Sequence, residues 1–305
     1  MRVFSCSSRP DRHSFPNLFG LISQSGADIG MASVIAKRLR KSIGENWKQY
    51  VLTVVSIAAF VAAWQFYSTY LHDNDVGYKG YVPYPLDVAK AFYTSFTSQD
   101  PITGLTMADH IVASLERIVY GFTLSLAVAV PLGLLMGTFR TANAAGRPVV
   151  EIIRPIPPLA WIPIFIVVLG SLWGPVGIVF LGIFFPVLLN VIFGVRSVDP
   201  ILMDAARTLG AGRGRLFMKV VLPFTLPYLM TGIKVGLGIG WMCIVAAEMV
   251  GNYGGGVGWF INDMADRGDF DFMYAGMVMI GLLGILTTGV ASLFEGRLSR
   301  WMGMK

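Results

Sequence analysis

Residues Asp204–Pro227, DAARTLGAGRGRLFMKVVLPFTLP, lie between two long apolar runs and carry too much charge to sit in lipid. Asp199-Pro200 opens the segment with an acidic N-cap followed by proline at the first helical position. Ala205 and Ala206 favour helix and have almost no side chain. Gly210 suits the left-handed conformation that ends a helix. Arg213, Arg215 and Lys219 then alternate with Leu216, Phe217, Val220 and Val221, and Pro223 and Pro227 interrupt the chain as the next apolar run begins. The pattern predicts a helix, a glycine turn and an amphipathic helix at a membrane surface. Small residues let another protein's groove approach closely, so the stretch reads as a docking element. The alternative is a loop that packs only on its own chain.

Composition sets the frame around that stretch. Of 305 residues, 54% are hydrophobic and 14% charged, and the mean hydropathy is +0.63. Soluble domains carry about 25% charged residues, so an integral membrane protein is expected. The net charge of +6 suggests nucleic acid only if the positions of the charges are ignored. Cys6 and Cys243 lie in a polar tail and an apolar run and form no disulfide framework or metal spacing. His13, His72 and His110 read as isolated polar residues.

Six apolar runs follow a polar, basic tail, residues 1–49, of which 1–30 are expected to be disordered. Met31 is an alternative start to Met1. The apolar portion, 50–305, has runs at about 51–71, 111–139, 159–169, 175–195, 224–250 and 274–294, each read as a span. The third is irregular, because Pro155, Pro157 and Pro158 cannot continue a helix, and non-helical backbone is tolerated in a membrane only where it is shielded or lines a cavity. A short surface helix is expected over Leu86–Phe96. Nineteen lysines and arginines fall in the two tails, the 140–154 loop and the 196–223 loop, against three in 72–110, 171–174 and 251–273. By the positive-inside rule both termini and the docking loop are cytoplasmic.

Asp204-Ala205-Ala206, three residues, Gly210, then an apolar stretch ending Leu222-Pro223 resembles the EAA motif of permease subunits in ABC importers. Asp204 stands where that family usually has Glu, one methylene longer. Further likeness to the nitrate, sulfonate, taurine and bicarbonate branch lies in Ser114-Leu115-Glu116-Arg117 with Gly121 and in Pro131-Leu132-Gly133. It continues in Arg154-Pro155-Ile156-Pro157-Pro158-Leu159-Ala160 with Pro163, Ala246-Ala247-Glu248-Met249 and the 254–258 glycines. The likeness covers about 110–300. It implies an all-α membrane fold of the type I importer permeases, with about six transmembrane helices, in a prokaryotic-type plasma membrane. It implies a second permease copy, two ATPase subunits and an external substrate-binding protein. Asp204, Ala205, Ala206, Gly210 and Pro223 would then form the element that couples to the ATPase.

The chain has no Gly-x-x-x-x-Gly-Lys-Ser/Thr loop, so ATP and Mg would be used by the partner, and no cofactor or metal is expected here. No hydrolase elbow, zinc motif or paired intramembrane carboxylate points to an enzyme. The glycines at 254–258 read as a flexible re-entrant turn. Glu248 is costly near a membrane span and is a functional candidate, its alternative being an interfacial carboxylate bonded to backbone. Pro157, Pro158, Gly236 and Gly240 are further candidates for translocation or gating. Gly232, Gly236 and Gly240 recur every fourth residue, which suits close packing within the subunit or across a dimer. Lys234 is expected to snorkel to the cytoplasmic surface. Trp161, Trp173, Trp241 and Trp259 read as interface anchors, or as lining a path. The substrate expected from the resemblance is a sulfonate such as taurine, or nitrate, with bicarbonate behind. The rivals are a secondary transporter or channel, which predicts intramembrane charge pairs or internal repeats, neither of them evident in the sequence, and a purely structural membrane subunit.

Overall fold

The computed structural model describes the backbone of residues 27–74, 79–100, 102–251 and 255–301, and side chains from residue 47 to 297 within these. The chain divides into two units, 1–63 and 64–305. No strand occurs among the described residues. Helix α1 (Ala27–Asp73) runs unbroken through the boundary expected at residue 50. The expected disorder over 1–30 falls mostly outside the described residues. In the first unit the apolar side chains Leu52, Val54 and Phe60 are exposed.

In the second unit, α2 (Pro85–Thr97) matches the surface helix expected there, with proline at its first position. It is followed by α3 (Met107–Thr138), α4 (Arg140–Ile153), α5 (Ile162–Arg196) and the short α6 (Pro200–Thr208) and α7 (Arg213–Leu216). A π-helical turn, Phe217–Val221, leads into α8 (Leu222–Val250). Pro223 has no N–H for the Lys219 carbonyl, and the helix widens beside that gap. Helices α9 (Val257–Arg267) and α10 (Phe270–Trp301) complete the chain.

Among the described residues, five helical segments are long and apolar enough to cross a membrane. The expected third and fourth runs both fall in α5, which is broken at Gly170, with φ 76° and ψ 177°. The chain doubles back there, so that Gly174 and Gly177 pack on Ile166 and Phe165. The piece before the break, 162–169, spans only ~12 Å at 1.5 Å per residue. It is entered through a 3₁₀ turn, Pro158–Trp161, behind an extended Pro157. The irregular entry and short helix expected from the prolines are thus present.

The register of α3 on α5 reveals where the chain crosses back. Gly121 packs on Val179, Gly133 on Val191 and Gly137 on Val195. The offset is constant, so α3 and the long part of α5 run parallel. The intervening residues must therefore return from the C-terminal end of α3 to the N-terminal end of the long part of α5. Helix α4 begins that return. Gly146 packs on Met136, and Ile153 shares a cavity with Phe184 and Phe185, halfway along α5. The 140–154 segment, read above as a loop, is instead mostly a helix that, with the short 162–169 piece, forms a broken third pass along α3 and α5. Its alternation of Arg, Glu and Pro with apolar residues hides it from a hydropathy scan.

Helices α5 and α8 form the core pair. They run antiparallel, with Gly232 against Val187, and Gly236 and Gly240 against Ile183. The glycine series therefore serves packing inside the chain. Ile183, Val187, Leu188 and Ile244 are fully buried around it. Trp241 is 4% exposed and donates its indole N–H to Thr287 Oγ1 at 2.9 Å, which places it in the core and not at an interface.

Candidate functional site

The docking element is a helix held at both ends. At its start the Asp199 side chain accepts from Ile201 N at 2.8 Å. At its end Gly210 has φ +80°, Gly210 N donates to Arg207 O at 2.9 Å, and Ala211 N to Ala206 O at 3.0 Å. This pair of bonds is a Schellman closure. It leaves Asp204, Ala205 and Gly210 exposed, with Asp204 paired to Arg207 at 3.0 Å. Ala206 is half-buried against the cluster of Val195, Val198, Leu216 and Val221, and Pro223 is half-buried at the head of α8. Leu209, at the tip, is 88% exposed, and Ile201 75%. Reading the sequence for small residues and charges passed over both. Behind the element lies a largely apolar groove of about 900 Å³, walled by Leu135, Phe139, Met203 and Phe217 with Arg207 and Arg213 at its edge.

A second constellation sits at the opposite end of α8. Glu248 is fully buried. Its carboxylate accepts from Arg117 Nη1 at 2.6 Å, from Ser114 Oγ at 2.9 Å and from Gly258 N at 3.0 Å. Arg117 Nη1 also donates to Gly255 O at 2.8 Å. Val257 N donates to Ser114 Oγ at 2.9 Å, and Gly256 N to His110 Nδ1 at 3.1 Å. His110, Ser114 and Arg117 recur at helical spacing on one face of α3. His110, Ser114 and the Glu248 carboxylate cap the first turn of α9 from outside, since Gly256 has no side chain to do so, and Arg117 holds Glu248 and the Gly255 carbonyl. The network latches α3, α8 and α9 together. A Cβ on Gly256 would collide with the Glu248 carboxyl group. The residues 255–258 are therefore pinned, not a flexible turn. His110 is not an isolated polar residue. It is fully buried and stacks on Trp259, with ring centroids 5.7 Å apart.

Charge pairs between the long apolar helices, which the sequence did not reveal, thus occur. Lys234 forms a second one, with Glu295 Oε2 at 2.6 Å, both side chains 29% exposed. It is tied to α10 and does not snorkel. Pro157 is exposed and Pro158 half-buried at the break of the third crossing; Gly236 and Gly240 are buried between α5 and α8. These candidates do not meet Glu248 in one site.

A third polar group lies on the same side as Glu248. Arg267 Nη2 donates to Asp100 Oδ1 at 3.0 Å and also pairs with Asp263. Burial pushes the Asp100 carboxyl up, but the Ile102 N–H and Arg267 outweigh it and hold the group below the usual carboxylate range. Burial raises Asp263, and Arg267 only partly offsets it. Among the described residues no cluster of three or more His, Cys, Asp or Glu side chains could hold a metal.

Residues 129–303 match a family described as the binding-protein-dependent transport system inner membrane component. A putative ABC transporter permease protein of Methanocaldococcus jannaschii is 35% identical over 268 residues, covering 86% of this chain and 96% of that one. The taurine transport system permease protein TauC of Escherichia coli is 29% identical over 257 residues, covering 84% and 91%. In solved form, the inward-facing MetNI methionine ABC transporter aligns with TM-score 0.57 at 21% identity, over 66% of this chain and 99% of that one. That last likeness concerns the fold alone.

Proposed function

The chain belongs to the binding-protein-dependent transport system inner membrane components, the multi-pass permease subunits of ABC importers; on that premise we propose that it imports a small oxyanion by docking a separate ATPase. The observation that carries the reading is the capped helix Pro200–Thr208, with Leu209 and Ile201 exposed among the described residues. Asp204, Ala205, Ala206 and Gly210 form its contact face, and Pro223 fixes where it joins α8. Two ATPase copies would grip this element on two copies of the chain, using ATP and Mg that this chain does not bind. An external binding protein would deliver the solute on the side of α9.

The docking loop and both termini are assigned to the cytoplasm. With α4 in the third crossing, Arg140, Arg147 and Arg154 leave the tally, and sixteen cations still face three. The substrate assigned is a sulfonate such as taurine, or nitrate, with bicarbonate behind. The name of the Escherichia coli relative and the motif likeness in 110–300 support that class. ATP binding by the partner draws the two docking helices together and reopens the bundle outward. By linkage, delivery outside must alter ATP hydrolysis inside.

The test is co-purification of the tagged chain from native membranes in mild detergent. An ATPase recovered with the wild type and lost with Gly210→Asp supports the reading. Recovery of this chain alone, still transporting without ATP, overturns it.

A further inference from the structure

We infer that Arg154 contacts the translocated oxyanion partway across the membrane, at the break of the third crossing; this rests on the importer reading above. Packing of α4 on α3 sets the depth. Gly146 lies beside Met136, two residues from the inner end of α3. Arg154 lies eight residues further along α4, ~12 Å of rise, and ~15 Å inside that end of α3. Helix α3 rises ~48 Å over its 32 residues, more than a ~30 Å hydrocarbon layer, so Arg154 lies partway into the layer. Ile153 shares a cavity with Phe184 and Phe185, midway along the long part of α5.

The helical period sets the direction. Arg147, Glu151 and Arg154 are spaced i, i+4, i+7 and share one face of the helix. None is buried. Arg147 Nε and Glu151 Oε1 pair at 2.6 Å, with side chains 64% and 61% exposed. Arg154 is exposed, and its guanidinium has no hydrogen bond or ion pair among the described residues. Arg147, Glu151 and Arg154 lie ~5, ~11 and ~15 Å inside that end of α3, and an ionised group within a span faces a bundle interior or a water-filled cavity. The pair cancels, so the face carries one uncompensated cation.

A guanidinium presents a planar fork of donors that matches the oxygens of nitrate, a sulfonate or bicarbonate. It sits where the helix ends: Arg154 closes α4, and the backbone of 154–157 is irregular before the 3₁₀ turn. Transport sites form at such interrupted helices near the midplane. The prolines keep the helix from continuing over the cation and leave it open to water. Pro157 and Pro158 are then positioning residues for Arg154.

The experiment uses Arg154→Cys in native membranes, with two impermeant methanethiosulfonates, one bearing trimethylammonium and one bearing sulfonate. Modification is read by intact mass against the parent chain, which keeps Cys6 and Cys243. Uptake of nitrate and of taurine is measured alongside. Arg154→Cys and Arg154→Gln are expected to lower the maximal uptake rate about tenfold or more, the usual weight of a charge-assisted hydrogen bond. Half-saturation is expected to stay unchanged, because it is set by the delivering protein. The trimethylammonium adduct restores uptake and the sulfonate adduct does not. A residue with a merely structural role would give no charge-selective rescue. Failure of both reagents to modify the introduced thiol of Arg154→Cys, in a complex that retains its ATPase, overturns the inference, as does full uptake by Arg154→Gln. A wild type that carries neither probe removes the oxyanion class, and a wild type without ATPase removes the docking reading.

Discussion

Neutralising Glu248 alone should harm the protein more than neutralising both partners of its ion pair. The two charges sit 2.6 Å apart, with side chains 10% and 0% exposed. At an effective dielectric of about 20, the gross attraction is about 6 kcal/mol, most of it offset by the cost of desolvating both ions. Glu248→Gln keeps the shape but strands a buried guanidinium, which costs about 3–5 kcal/mol. Arg117→Met strands the carboxylate instead, and also releases the Gly255 carbonyl. The double variant Arg117→Met/Glu248→Gln leaves no buried charge, so its loss should be smaller than either single loss. For a unit of this size 1 kcal/mol moves the melting midpoint by about 2–4 °C, so each single variant should lose roughly 6–20 °C. The assay is thermal unfolding of the purified chain in detergent, followed by size-exclusion fluorescence. A double variant that loses the sum of the two single losses would show that the pair is not coupled, and the latch reading would go with it.

Three further outcomes are expected. Gly210→Ala should insert and fold normally: no heavy atom lies within 4 Å of the added Cβ, and the left-handed backbone costs only about 1 kcal/mol. Gly210→Asp meets the same backbone cost, so a loss of ATPase capture with an unchanged elution profile would locate its defect at the docking face. Gly236→Leu should lower the melting midpoint, since a Cβ there already meets Ile183 Cγ2 at 3.0 Å. Overpacking costs about 1–3 kcal/mol, and an unchanged melt would mean α5 and α8 are looser than described. Stability should also fall in acid through Asp100. Its carboxyl is lowered in the folded state from 3.8, so its contribution is present above that value and fades as pH drops through the folded one. Asp263, raised from 3.8, works in the opposite sense, losing stability as pH rises from 3.8. Asp100→Asn should flatten the acid branch of a melting-against-pH curve, and an unaltered branch would exclude the contact.

The helix Pro200–Thr208 and its stop were legible because their rules are local. An acidic cap, a proline, two alanines and a glycine within twelve residues dictate one helix and its stop, whatever surrounds them. The apolar runs were legible for the same reason. The latch was not, since Ser114 and Glu248 are 134 residues apart and Gly256 and His110 are 146 apart. Sequence marked Glu248 as costly but could not say what offsets the cost. Lys234 looked like a snorkelling end residue because Glu295 lies 61 positions away. Helix α4 was misplaced because its composition is that of a surface helix. Only the parallel register of α3 and α5 requires it to climb back through the layer. Leu209 was missed because a single leucine between Thr208 and Gly210 carries no periodicity.

The glycine series on α8 has a mechanical consequence. Gly232, Gly236 and Gly240 receive Val187 and Ile183 as teeth in notches one turn apart. Such a pair resists small slips, because the next matching register is ~6 Å away along the axis. Helix α5 enters the docking loop and α8 leaves it, so the loop is the crosspiece of a two-pronged fork whose prongs are meshed. A push on Leu209 then does not bend either prong. It turns the whole fork, ~40 Å long, and a shift of a few ångströms at the crosspiece becomes a comparable swing at the tips, where Glu248 holds the far face of the protein.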